Sequence, residues 1–119
     1  MIQLKRIYDP AEPSDGLRIL VDRLWPRGVT KERAQLDHWM KAVAPSSELR
    51  KWFHQQHVAF AQFKAAYEKE LLEDNEKQTC IAKLAEWSHS QTVTLLYSAK
   101  DQQNNHAIIV LNAVLSQIQ

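Results

Sequence analysis

Two short segments hold most of the side chains that could do chemistry. One is Asp22-Arg23-Leu24-Trp25-Pro26-Arg27-Gly28, and the other runs from Ser98-Ala99-Lys100-Asp101 to Asn104-Asn105-His106. Each follows an apolar run that reads as a strand, and ligands of open α/β sheets bind beyond the carboxyl ends of strands. The guanidinium groups of Arg23 or Arg27, together with the Lys100 ammonium, suit a carboxylate or phosphate. The second segment leads into a helix amino terminus, where free N–H groups and the dipole favour an anion. The expectation is one concave site on which Arg23, Arg27, Lys100 and His106 converge. Asp22 or Asp101 would orient a cationic member, with Ser98 and Asn105 among the binding residues. The opposing reading is a clasp, in which Asp22 and Arg23 pair or cap neighbours while Trp25 and Pro26 cover the core.

Nucleophilic chemistry has a weaker basis. Ser98, His106 and Asp101 or Asp22 are the right types for a hydroxyl, a base and an orienting acid. Ser98 lacks the flanking glycines of a nucleophile elbow, and a strand-end serine more often satisfies backbone groups. Among the five histidines, His106 is the best general base because it alone lies at a strand-to-helix junction, although a bond to a backbone carbonyl is its commoner use. His54 and His57 are spaced to share a helical turn, yet Gln55-Gln56 brings no carboxylate and no HExxH pattern exists. No metal and no cofactor is expected. His38 and His89 read as surface residues of helical stretches. Cys80, the single cysteine, lies on an apolar stripe as an inert core residue and rules out an internal disulfide.

The elements that must position these groups follow from the pattern. With 119 residues, 45% of them hydrophobic, the chain fits one domain with a real core. Only two glycines, Gly16 and Gly28, argue against glycine-cradled nucleotide loops and against an all-β fold. Strands are expected at residues 2–8, 17–22 and 92–97. Between the last two, Thr30 caps a helix through Leu36, Trp39, Met40 and Val43, which Ala44-Pro45-Ser46 ends. Ser46 caps the next, with Leu49, Trp52 and Phe53. A third carries Phe60, Phe63, Tyr67 and Leu71, and Asp74 or Asn75 opens a fourth with Cys80, Ile81, Leu84 and Ala85. Asn104 or Asn105 caps the last, whose residues 107–111 are apolar nearly all round. The fold class is thus α/β, a single domain with a small, at least partly parallel sheet and flanking helices. The second and third of these strands should be parallel, while the direction of the first stays open.

Charge narrows the partners. The formal net charge is only +1, so no global field draws the chain to nucleic acid or anionic lipid. Residues 18–33 hold Arg18, Arg23, Arg27, Lys31 and Arg33 against Asp22 and Glu32, the one local basic excess. A small anionic molecule ranks first as partner and nucleic acid third. Nothing approaches the roughly 18 apolar residues of a membrane span. A charged amino terminus without a secretory pattern and a lone thiol point to the cytoplasm. The alternative to a ligand site is a non-catalytic interaction module whose tryptophans Trp25, Trp39, Trp52 and Trp87 partly face a protein partner. Oligomeric state, and whether any site turns over a substrate, stay open.

Residues 17–29, Leu-Arg-Ile-Leu-Val-Asp-Arg-Leu-Trp-Pro-Arg-Gly-Val, closely resemble the YeaO-like family within the group called domain of unknown function 488. The match continues through residues 39–46 and 48–53, then Phe63, Tyr67, Glu70-Leu71, residues 95–101 and Asn105-His106-Ala107. The resemblance implies a bacterial α/β domain of unknown function. It also implies that the wider group carries a cysteine and a glutamate at the last strand, then Cys-His-Arg at the next helix. Tyr97 and Ala99 stand at the first two positions here, and Asn105-His106-Ala107 keeps only the histidine, which counts against thiol chemistry in this chain.

Overall fold

Every strand pair in the computed structural model, which describes residues 1–118, is parallel. The strands β1 (Ile2–Arg6), β2 (Leu17–Leu20), β3 (His38–Trp39) and β4 (Val93–Tyr97) lie in the order β1-β4-β2-β3. Central β4 is buried along its whole length, as its unbroken Val-Thr-Leu-Leu-Tyr run demands of a strand covered on both faces. Alternate residues feed two cores. Ile19, Val21, Val93, Leu95 and Tyr97 face a main core with the helices α2 (Ser47–Gln55), α3 (Phe60–Glu73), α4 (Asn75–Ser90) and α5 (His106–Ile118). Leu20 and Leu96 face a smaller one, closed by Ile7, Val29, Ala34 and the half-buried Trp25 and Trp39. The caps fall where the sequence puts them: Ser46 accepts from the Leu49 N–H, Asp74 from Lys77 and Asn105 from Ile108.

The stretch after Thr30 departs from expectation. The helix expected through Val43 is a single turn, α1 (Lys31–Ala34), after which Gln35 turns left-handed at φ 47°. The chain then pairs with β2, Asp37 N–H donating to the Arg18 carbonyl and Met40 N–H to that of Leu20. The cause lies in the stripe itself. Leu36 and Trp39 pack on the smaller core, whereas Met40 and Val43 pack on the main one. One helical face cannot serve both sides of a sheet, so a two-residue strand and a 3₁₀ turn at Lys41–Val43 take its place. His38 therefore sits on a strand rather than a helix, exposed and stacked on Trp87 with ring centroids 4.6 Å apart. The first two strands are also shorter than expected. Helix α5 is buried in its first turns and exposed at its end, where Leu115 and Ile118 meet solvent.

Strand β1 runs parallel to β4, and residues 7–16 return the chain to the start of β2 without a crossover helix. A buried ion cluster holds that return. The Asp15 carboxylate lies 2.5 Å from Arg18 and 3.0 Å from Lys5, and Lys5 also reaches Glu12 at 2.8 Å. Burial pushes the Asp15 carboxyl up, but the Glu12 N–H, Lys5 and Arg18 outweigh it and hold it below its ordinary 3.8. The stability Asp15 lends is then complete above 3.8 and disappears as pH falls through the lower folded value. A carbon-13 titration of the Asp15 carboxyl is expected to show its midpoint below 3.8, with the acid limb of the melting curve beginning near 3.8 and ending near that midpoint.

Candidate functional site

Beyond the carboxyl ends of β2 and β4 lies a cavity of about 760 Å³. Its walls are the loop after β2, the loop after β4, and residues of α2 and the start of α3. All eight residues singled out above line it: Asp22, Arg23, Arg27, Ser98, Lys100, Asp101, Asn105 and His106. Parallel strands explain this, since both loops leave the sheet at one edge.

Four of the eight are occupied in holding the walls. Asp22, only 8% exposed, accepts from the Ser98 N–H at 3.1 Å and the Ser98 hydroxyl at 2.6 Å, so it ties the two loops together. Asp101 accepts from the N–H groups of Gln103 and Asn104, which hold its carboxyl below the usual range. Asn105 donates to the Asp101 carbonyl and caps α5, leaving its side chain little capacity for a ligand. Ser98 gives its proton to Asp22 rather than to a histidine.

His106 takes a structural bond as well. Its Nε2 lies 3.0 Å from the Val21 carbonyl and 3.2 Å from Asp22 Oδ1. A carbonyl only accepts, so the proton is on Nε2 and points at Val21. The contact with Oδ1 is then electrostatic, and that oxygen has no hydrogen-bond partner among the described residues. The carboxylate stands between serine and imidazole, so the order needed for base-activated serine attack is absent.

The cations are the free groups. Arg23 does not pair with Asp22; its Nε donates to the Pro45 carbonyl at 3.2 Å, bracing the chain before α2. Its other nitrogens make no hydrogen bond with the described residues, and neither do the exposed Arg27 and Lys100 side chains. Arg50 and His54 of α2 also line the cavity and were not anticipated. Their i, i+4 spacing beside the Leu49, Trp52 and Phe53 stripe shows a polar face, but not which strand end it meets. The Arg50 Nε is buried with no partner among the described residues. Four permanent cations thus face two carboxylates.

All four tryptophans are half-buried and none is exposed, a correction to the exposed surface of the interaction module. The indole N–H of Trp25 donates to Val29 and that of Trp39 to Asp22, so these rings serve the smaller core. Helix α2 ends at Gln55 and His57 adopts φ 49°, so His54 and His57 do not share a turn. Among the described residues, no three His, Cys, Asp or Glu side chains gather as a metal site, and no helix is long and apolar enough to cross a membrane. Burial raises the half-buried Cys80 thiol and the Tyr97 phenol, keeping both protonated.

The uncharacterised protein YeaO of Escherichia coli is 50% identical over 109 residues, 92% of each chain. Uncharacterised proteins of Mycobacterium bovis and Mycobacterium tuberculosis are 35% identical over 109 residues, 92% of this chain and 89% of theirs. No solved structure gives a significant match. The family model described as the inactive DUF488-N3 subclade matches residues 1–119. The chain therefore belongs to the DUF488 family, within the subclade described as inactive.

Proposed function

We propose that this protein binds a small organic anion in the cavity at the carboxyl edge of its sheet, as a receptor site rather than a catalytic centre. The excess of cations carries this reading: Arg23, Arg27, Arg50 and Lys100 line the cavity against Asp22 and Asp101, whose carboxylates already hold loop groups. The amino terminus of α5 adds its dipole at the same edge. Binding without turnover agrees with the serine–aspartate–histidine order described above and with the description of the subclade as inactive. The single thiol suits the cytoplasm, where we place the protein.

Thermal shift against phosphate, sulfate and carboxylate metabolites tests this directly. A ligand at 100 times its Kd stabilises a fold by about 2.7 kcal/mol, enough to read as several degrees. Lys100→Ala and Arg27→Ala are expected to melt within about 2 °C of the parent, as exposed residues do, yet to lose most of that anion-dependent rise. A parent melting temperature that ignores the whole panel overturns the proposal.

A further inference from the structure

We infer that the anion recognised here carries an aromatic ring joined to its acidic group, an aryl phosphate or aryl carboxylate. This rests on the anion-binding reading above and adds what fills the rest of the cavity. About 760 Å³ is far more than an inorganic anion occupies and falls in the range that encloses an organic ligand. The wall contributed by α2 and α3 is aromatic, with Phe53, Phe60 and Phe63 lining the cavity. Phe53 is stacked on Phe63 with centroids 4.4 Å apart and planes at 27°, while Phe60 meets Phe53 edge-on at 6.3 Å. Phe63 is buried, whereas Phe53 and Phe60 stay half-exposed, so two fixed rings present surface that no part of the described chain covers. Such a pair offers a further ring the offset or edge-to-face contacts that aromatic groups favour.

Charge stands beside that wall on the same helix. Arg50 and Phe53 are three residues apart on α2, the spacing that makes side chains neighbours on one helical face. The Arg50 Nε is buried without an acceptor, and the terminal guanidinium nitrogens make no hydrogen bond with the described residues, so they are the atoms an anion's oxygen beside the phenylalanines would meet. The aromatic contacts continue from Phe63 to Tyr67 at 5.7 Å and from Tyr67 to His106 at 6.5 Å. Those contacts run through the buried Tyr67 beneath the cavity floor, while Phe53, Phe60 and Phe63 line the same cavity as the basic strand-end loops. A ring against Phe53 and Phe60 with its acidic group toward Arg50 and Lys100 satisfies both.

Calorimetric titration with inorganic phosphate, methyl phosphate, phenyl phosphate, benzoate and neutral benzyl alcohol tests the inference. Phenyl phosphate is expected to bind about tenfold tighter than methyl phosphate, and benzyl alcohol to bind far more weakly than either ester. Phe53→Leu is expected to reduce the phenyl-to-methyl preference to about threefold or less while leaving methyl phosphate unchanged. Phe60→Leu gives the same readout should Phe53→Leu fail to fold. Equal affinity for the two esters, or benzyl alcohol binding as well as phenyl phosphate, overturns the aryl-anion inference and leaves anion binding standing or falling on the esters themselves. No binding by any of the four anions overturns the anion-binding reading as well. Comparing benzoate with phenyl phosphate decides between carboxylate and phosphate.

Discussion

Gly16→Ala is expected to lower the melting temperature by more than about 10 °C, whereas Gly28→Ala lowers it by only a few degrees. Both glycines have positive φ, 64° and 77°, and Gly16, with ψ −131°, lies outside the left-handed helical region, so both substitutions carry a backbone penalty. That penalty is about 1–2 kcal/mol for a left-handed helical residue and no smaller at Gly16. They differ in what a methyl would meet. At Gly28 nothing lies within 4 Å, whereas at Gly16 the new carbon would overlap the Thr92 carbonyl. That carbonyl is not free to retreat, because it accepts the Leu17 N–H at 2.9 Å where β2 begins. Moving it would disturb the first contacts of both central strands, while Gly16 itself ends the 3₁₀ turn that holds Asp15. The combined loss is about 3–4 kcal/mol, and each kcal/mol shifts a domain near this size by roughly 4 °C. Thermal melts of the two variants side by side provide the measurement. A Gly16→Ala protein melting as high as Gly28→Ala would show that the approach of Gly16 to β4 is not needed for the sheet.

The same return segment explains why part of the fold was hidden in the sequence. Strands β2 and β4 were legible because each is a short apolar run with β-branched residues, and the helical stretch between them demands a parallel pairing. The direction of β1 was not, since residues 7–16 hold only a 3₁₀ turn, and it is the Lys5–Asp15–Arg18 cluster that anchors them. Nor was β3, because Leu36, Trp39, Met40 and Val43 fit a helical stripe although they serve two different cores. The cavity's strand-end residues were readable for a general reason: parallel strands deliver their following loops to one edge. Roles within it were less so. No local pattern shows that Asp101 and Asn105 bond within their own loop, or that the Asp22 carboxylate reaches across to Ser98. Arg50 and the phenylalanines of α2 and α3 come to the cavity through helix packing, which only the assembled structure displays.

Asp22 is where stability and binding should part company. Asp22→Ala is expected to cost about 2–3 kcal/mol, because the Ser98 N–H and hydroxyl lose their buried acceptor. That corresponds to a fall of roughly 8–12 °C in melting temperature. Asp22→Asn keeps an oxygen for Ser98 but turns an amide N–H toward the Nε2 proton of His106, so it is expected to cost about 1 kcal/mol. Anion affinity should move the other way. Each substitution removes a negative charge from the lining while Arg23, Arg27, Arg50 and Lys100 remain. At about 8 Å, with an effective dielectric constant near 40, one such charge repels an anion by about 1 kcal/mol, or roughly fivefold in affinity. The folded Asp22→Asn protein is therefore expected to melt lower and to bind phosphate or phenyl phosphate more tightly, as calorimetry would record. If Asp22 contacted the ligand directly as an acceptor, the same variant would bind more weakly, in step with Lys100→Ala. A drop in both quantities would make Asp22 a ligand contact; opposite signs make it the brace that holds two loops around a basic cavity.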